Sequence, residues 1–364
     1  MFTHKTQTQI TTPVRVVIPA YKAGDCINAC LKNVLIACNY FSDIEVVVVA
    51  YDTAININFD HRLQIIEPGK PLNAGEARNL GALNSNNRII VFIDADVLID
   101  PESLPKLLQP IINGEADATV GNYATNLISN KFFQNYKKLY IHQAYAREGY
   151  ISNEFWTAYA AISHKAFFTV GGFSEQFKFK GGEDTEIGVR LTARNFKIYA
   201  VANVFGNHLK EFTFGSLVSN DFVKGSRTVF LALNRKMSLQ ENRHAKKSDQ
   251  VAVALACLIA LVIIGGGILH WIWLFLPLLM AMYIGSRFNF LSACSKQGTW
   301  FFIRACSMAW LLDIVRAASI GNGMAIYFWT KWFKHQKQST IIPMPSLESN
   351  VYTNDEAPFI HSRA

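Results

Sequence analysis

The chain has 364 residues and a formal net charge of +8, a length that accommodates two modest units and a charge that suits an anionic leaflet or a phosphate-bearing substrate. Nucleic acid is not the expected partner, because no dense basic stripe with interleaved aromatics occurs. Cys26, Cys30, Cys38, Cys257, Cys294 and Cys306 are scattered without a C-x-x-C pair, which fits core packing in a reducing cytoplasm rather than a disulfide or metal framework.

In chain order, residues 14–18 predict a first strand stopped by Pro19, after which Asp25 is placed to cap a helix over about 26–39. Residues 45–50, almost all valine, predict a second buried strand, and Leu63–Ile66 a short third one before the Pro68-Gly69-Lys70-Pro71 loop. Residues 74–83 read as a helix. The apolar run Ile89–Ile93 predicts a buried parallel strand that ends in Asp94-Ala95-Asp96, and 101–108 the next helix. This alternation implies an α/β unit built on a right-handed βαβ series. Ligands bind at the carboxyl edge of such a sheet, where two carboxylates one residue apart can present oxygens to one hard cation.

Downstream come Gly171-Gly172-Phe173, then Gly181-Gly182-Glu183-Asp184, then a helical period through Ile187, Leu191 and Phe196. Paired glycines mark tight turns or close approach of backbone to a ligand. Taken singly, Asp184 also reads as a plain helix cap, and His208, after the apolar stretch 198–205, as a structural histidine.

Near residue 250 the composition changes. Residues 251–269 and 271–286 contain no Lys, Arg, Asp or Glu, and the first run is long enough to cross a bilayer core. Arg235, Lys236, Arg243, Lys246 and Lys247 precede the first run, Arg287 and Lys296 follow the second, and the turn at His270 has no Lys or Arg. The positive-inside rule then places both ends of a hairpin, and the large domain, in the cytoplasm. The N-terminus has no charged-then-apolar leader, so no secretory signal is expected. The stretch 300–332 is interrupted by Arg304, Asp313 and Arg316 and reads as an interfacial helix or a third membrane helix. The expected units are therefore 1–248, a transmembrane hairpin over 251–286, the segment 300–332, and a polar, disordered tail over 339–364.

The ordered motifs over residues 14 to about 230 resemble the family 2 glycosyltransferases. They comprise Val-Val-Ile-Pro-Ala-Tyr at 16–21, a strand followed by Asp52, and Asn-Ala-Gly-Glu-Ala-Arg-Asn-Leu-Gly at 73–81. Asp-Ala-Asp at 94–96, Gly-Gly-Phe at 171–173, Glu-Asp at 183–184 and the late His208 complete the set. The resemblance implies a GT-A fold: a Rossmann-like, mixed but mainly parallel sheet with flanking helices, here followed by a membrane hairpin. It implies that Pro19, Ala20 and Tyr21 line the nucleotide pocket, that Asp52 faces the base, and that Arg78 and Asn79 lie beside the donor. Where the family often has two acidic residues and a glycine, this chain has Tyr51-Asp52-Thr53. Asp94 would hold the ribose or a metal-bound water, with Asp96 and His208 as ligands of Mn²⁺ or Mg²⁺, the imidazole suiting Mn²⁺ better.

The chemistry explains those residue types. A divalent cation offsets the charge of a departing nucleoside diphosphate, and a carboxylate such as Asp184 can take the acceptor proton. Glu183 would orient the loop or acceptor. The expected function is inverting transfer from a nucleotide sugar, with a UDP-sugar expected, to a lipid-linked or glycan acceptor at a bacterial inner membrane. A processive synthase is the nearest alternative, since Gln240-Glu-Asn-Arg243-His244 approximates its Q-x-x-R-W motif with His for Trp. A sugar nucleotidylyltransferase would need a Gly-rich basic loop after the first strand, and Pro19-Ala20-Tyr21-Lys22-Ala23-Gly24 is not one. An inactive, membrane-tethered nucleotide-sugar-binding protein is the non-enzyme alternative.

Overall fold

The computed structural model of the protein describes residues 9–124, 131–145, 149–151, 154–174, 182–209, 211–235 and 247–336. The Gln240–His244 motif, Lys236, Arg243, Lys246, Gly181 and the tail over 339–364 lie outside these residues.

Among the described residues nine strands form one sheet: β1 (Val14–Tyr21), β2 (Ile44–Tyr51), β3 (Leu63–Ile66), β4 (Ile89–Ile93), β5 (Val97–Ile99), β6 (Ala118–Tyr123), β7 (Gly149–Ile151), β8 (Tyr159–Ile162) and β9 (Ile198–His208). Their order is β3-β2-β1-β4-β8-β6-β9-β5, with β7 also on β9. The helices packed around it are α1 (Cys26–Ala37), α2 (Ala74–Ala82), α3 (Ser103–Ile112), α4 (Phe132–Tyr145), α5 (His164–Val170) and α6 (Glu183–Ala193). The sheet is mixed, as the sequence leads one to expect, with parallel pairing among β1–β4 and between β6 and β9. Beyond β4, β8 runs antiparallel to both β4 and β6, and β9 takes β6 parallel but β5 and β7 antiparallel. Antiparallel neighbours need no crossover helix, which is why the strand–helix alternation fades there.

Pro19 does not stop β1, which continues through Tyr21 in register with Tyr51. Val14 N donates to Asp43 O just before β2 and Lys22 N to Tyr51 O at its end, so even-numbered residues face β2 and Pro19 faces β4. The pairing with β4 ends at Val17, so the N–H that proline lacks has no ladder partner to lose. Asp25 makes no side-chain cap bond, and α1 tightens into a 3-10 turn at Cys38–Tyr40. The α2 start is well capped instead. Asn73 Oδ1 accepts from Glu76 N at 2.9 Å while Glu76 Oε2 accepts from Asn73 N at 2.8 Å, a reciprocal pair worth about 1 kcal/mol.

The core lies between the sheet and these helices. Val16, Val17, Ile18, Val46, Val48 and Ile90–Ile93 are fully buried, as a two-sided parallel sheet requires. The Phe92 ring meets Phe155, Phe167 and Phe173 with centroids 5.4–6.3 Å apart. Helix α2 sits close on β1 because Gly81 has no Cβ; one would lie 2.4 Å from Val17 Cγ1.

The remaining helices are α7 (Phe214–Arg235), α8 (Lys247–Gly265), α9 (Leu276–Ser286), α10 (Phe288–Ser295) and α11 (Thr299–Gln336). Among the described residues, α8 is the one helix long and apolar enough by itself to cross a membrane, with a mean hydropathy of 2.2. The segment His270–Ser286 passes the same test only together with α10, from which it is bent by 82°. Helix α11 is a single helix packed along α7 and against α8 and α10.

Candidate active site

The strand order creates the site. From β1 the chain winds outward to β2 and β3, then α2 leads to β4 on the other side of β1. A crevice opens where the winding reverses, between the carboxyl ends of β1 and β4. Tyr21, Tyr51-Asp52 and Asp94 therefore share one sheet edge.

The β1–β2 end of that edge is aromatic. Tyr21 is half exposed and stacks on Tyr51 with centroids 6.0 Å apart and planes at 24°. Lys22 Nζ lies 3.7 Å from Asp52 Oδ2. The Thr53 hydroxyl donates to Ala20 O at 3.2 Å, tying the two strand ends together, and Pro19 is partly covered beneath. Tyr51 was not anticipated. Its signal was its in-register position opposite Tyr21, which only strand pairing supplies.

The β4 end is charged. Arg78, 3% exposed on α2, donates from Nη2 to Asp94 Oδ1 at 2.7 Å and from Nη1 to Glu183 Oε1 at 3.4 Å. Burial opposes its charge, but Asp94 and Glu183 hold it more firmly ionised than a free arginine. Glu183 itself is pushed above the usual carboxylate range, first by burial and then by Asp184, with Arg78 partly offsetting. Glu183 and Asp184 occupy the first turn of α6, where the helix dipole favours negative charge. Asp184 is part-buried; its Oδ1 accepts from Thr185 N at 2.8 Å. Burial lowers the Arg227 guanidinium of α7, and the Glu183 charge opposes that shift.

Asn79 lies on the same helix but is engaged elsewhere. Its Nδ2 donates to Phe173 O and its Oδ1 accepts from Phe173 N, both at 2.8 Å. The amide thus clasps the Gly-Gly-Phe loop, and the Phe173 ring lies 5.5 Å from the Arg78 guanidinium.

Asp96 and His208 meet through β5–β9 pairing, in which Val97 stands opposite His208. His208 Nε2 is 3.6 Å from Asp96 Oδ1, too long for a good hydrogen bond, so imidazole and carboxylate face each other across a short gap. No group of three or more His, Cys, Asp and Glu placed to hold a metal occurs among the described residues. One carboxylate and one imidazole still fit a cation that takes its other ligands from substrate phosphates and water, as Mg²⁺ commonly does. Tyr123, another residue that the sequence reading did not pick out, packs its ring edge-on against His208 at 5.2 Å and against Trp156 at 4.6 Å. Burial, then Asp94 and Asp96, raises its phenol well above the usual value.

Sheet, crevice and edge carboxylates define a GT-A-like domain. Residues 15–175 match the family described as Glycosyl transferase family 2, the segment that carries every edge residue up to the Gly-Gly-Phe loop. Glycosyltransferase GlyA of Streptococcus pneumoniae serotype 4 is 27% identical over 261 residues, covering 66% of this chain and 36% of that protein. Glycosyltransferase GlyG of the same organism is 23% identical over 118 residues, covering 30% of this chain and 38% of that protein. The chain thus spans about a third of the length of these relatives. The mannosyltransferase PcManGT from Pyrobaculum calidifontis, solved with GDP-Man and Mn²⁺, superposes with a TM-score of 0.51 at 16% identity. That match covers 90% of this chain and 92% of the other and shows the shared fold.

Proposed function

We propose that the chain is an inverting glycosyltransferase that moves a sugar from a nucleotide sugar, most simply a UDP-sugar, to an acceptor hydroxyl near a membrane surface. The observation that carries the reading is the Arg78 bridge, which joins the carboxyl edge of β4 to the first turn of α6. It holds Glu183 in an ion pair and leaves the neighbouring Asp184 as the carboxylate for proton transfer.

In this reading the Tyr21–Tyr51 pair and Asp52 receive the nucleobase, with Pro19 and Ala20 as the pocket floor. Asp96 and His208, with Asp94 beside them, would hold a divalent cation, which when bound supplies positive charge against the departing diphosphate. Asn79 positions the Gly-Gly-Phe loop. Asp184 accepts the proton of the attacking hydroxyl, and a single displacement without an enzyme nucleophile inverts the anomeric centre. The uncharged runs of α8 and α9, with basic residues at both hairpin ends, support a cytoplasmic domain on a membrane hairpin. Such tethering gives a lipid-linked acceptor a high effective concentration.

The test is turnover of a nucleotide-sugar panel by membranes that contain the full chain. Release of nucleoside diphosphate coupled to transfer, absent in Asp184→Asn, is expected. Transfer at the wild-type rate by that variant, or a product with the donor's anomeric configuration, would overturn the assignment.

A further inference from the structure

We propose that the outward face of the second half of α11 docks on an anionic lipid leaflet and lies in the membrane plane rather than across it. On that face Ile320, Met324, Phe328 and Trp332 follow one another at i, i+4 spacing and are 37, 43, 64 and 68% exposed. An apolar strip of this size is seldom left in water.

The opposite face is closed on α7. Asn322 Nδ2 donates to Ser226 Oγ at 3.0 Å, and a Cβ on Gly323 would lie 2.5 Å from Ser226 O. Contacts advance together along both helices, from Asp221–Arg316 through Gly225–Ser319 to Ser226–Gly323, so the two run parallel and side by side. Helix α7 carries Asn220 and Arg227 part-exposed and Lys224 exposed. The pair therefore cannot be immersed in hydrocarbon, whereas one face of it can. Length agrees: within α11 the uncharged run between Arg316 and Lys331 rises roughly 21 Å as a helix, short of the ~30 Å that a span needs.

Charge selects the kind of surface. Between Lys247 and Trp332 the acids are Asp249 and Asp313, and both are paired with Arg287. The exposed charged side chains there, Lys247, Lys296, Arg304 and Lys331, are all cations. Each basic group near an anionic leaflet adds on the order of 1 kcal/mol of attraction, and tryptophans favour the headgroup level. The face is also fixed relative to the site. Arg316 joins Asp313 to Asp221, which pairs with Lys137 of α4, and the adjacent Lys138 donates to Asn207 beside His208 at 3.0 Å.

The test places a photoactivatable benzoylphenylalanine at Phe328 of the full chain, and separately at Leu261 of α8, in nanodiscs with and without phosphatidylglycerol. A lipid adduct at Phe328, several-fold more abundant with the anionic lipid, is expected. A cross-link from Phe328 to a second copy of the chain would overturn the proposal. So would absence of a lipid adduct there, whatever Leu261 shows, and equal yields in both lipids would overturn the anionic part. None of these readings depends on turnover.

Discussion

Gly188 of α6 rests directly on the main chain of Glu154: a Cβ at Gly188 would come within 2.6 Å of both the nitrogen and the Cα of Glu154. One step along, Phe155 N donates to Asp184 O at 3.2 Å. The backbone before β8 therefore sets the height of α6 and with it the position of Asp184. Gly188→Ala should push the helix outward, costing about 1–3 kcal/mol of stability. A shift approaching 1 Å would slow transfer by on the order of 10²-fold. Thermal unfolding and initial rates on the same preparation check both, and wild-type values for either would contradict this packing argument.

Asp184→Asn keeps the shape and removes the proton acceptor. A rate loss of about 10²–10⁴-fold is expected, with donor affinity unchanged. Nucleotide-sugar titration monitored by calorimetry separates the two.

Arg78 is 3% exposed between two carboxylates. Arg78→Ala leaves the part-exposed carboxylates of Asp94 and Glu183 unneutralised and should cost roughly 1–3 kcal/mol, less than breaking a fully buried pair. Denaturant unfolding measures it; a loss below 1 kcal/mol would mean that water replaces the guanidinium.

Asp96→Ala should weaken Mn²⁺ binding to the enzyme–nucleoside diphosphate complex, read by electron paramagnetic resonance without any turnover. His208→Ala should weaken it less, because carboxylate is the harder donor. Unchanged binding in Asp96→Ala would remove the metal role, as would full activity in excess chelator.

Glu183 gives a pH signature. Burial and the Asp184 charge raise its carboxyl above the usual range, with Arg78 partly offsetting. A raised acid favours the protonated form in the folded state. Its stabilising contribution is present below the ordinary carboxylate value and is lost as pH rises through the raised one. The unfolding temperature of the wild type, relative to Glu183→Gln, should therefore fall across that window. A relative rise would show that the Arg78 attraction outweighs burial.

Much of this was legible in residue order. The apolar runs of β1, β2 and β4 announce buried parallel strands because both faces are covered, and Asp94-Ala95-Asp96 marks the edge where such strands end. By contrast, Pro19 looked like a strand stop, since a missing N–H matters only on the side where a partner strand lies, and that side is a tertiary fact.

The sequence by itself determined the alternation that builds the first half of the sheet, the acidic pair at its edge and the uncharged runs of α8 and α9. These depend on local periodicity and composition, which act over a few residues. Only the tertiary structure decided that Arg78 bridges Asp94 to Glu183, which lies 105 residues after Arg78, and that His208 reaches Asp96 through the β5–β9 ladder. It also decided that Asn79 serves the Phe173 loop, that Tyr51 and Tyr123 join the site, and that α11 lies along α7. Such pairings follow from how the sheet winds and which helix faces remain to be covered, and no local pattern of residue types encodes them.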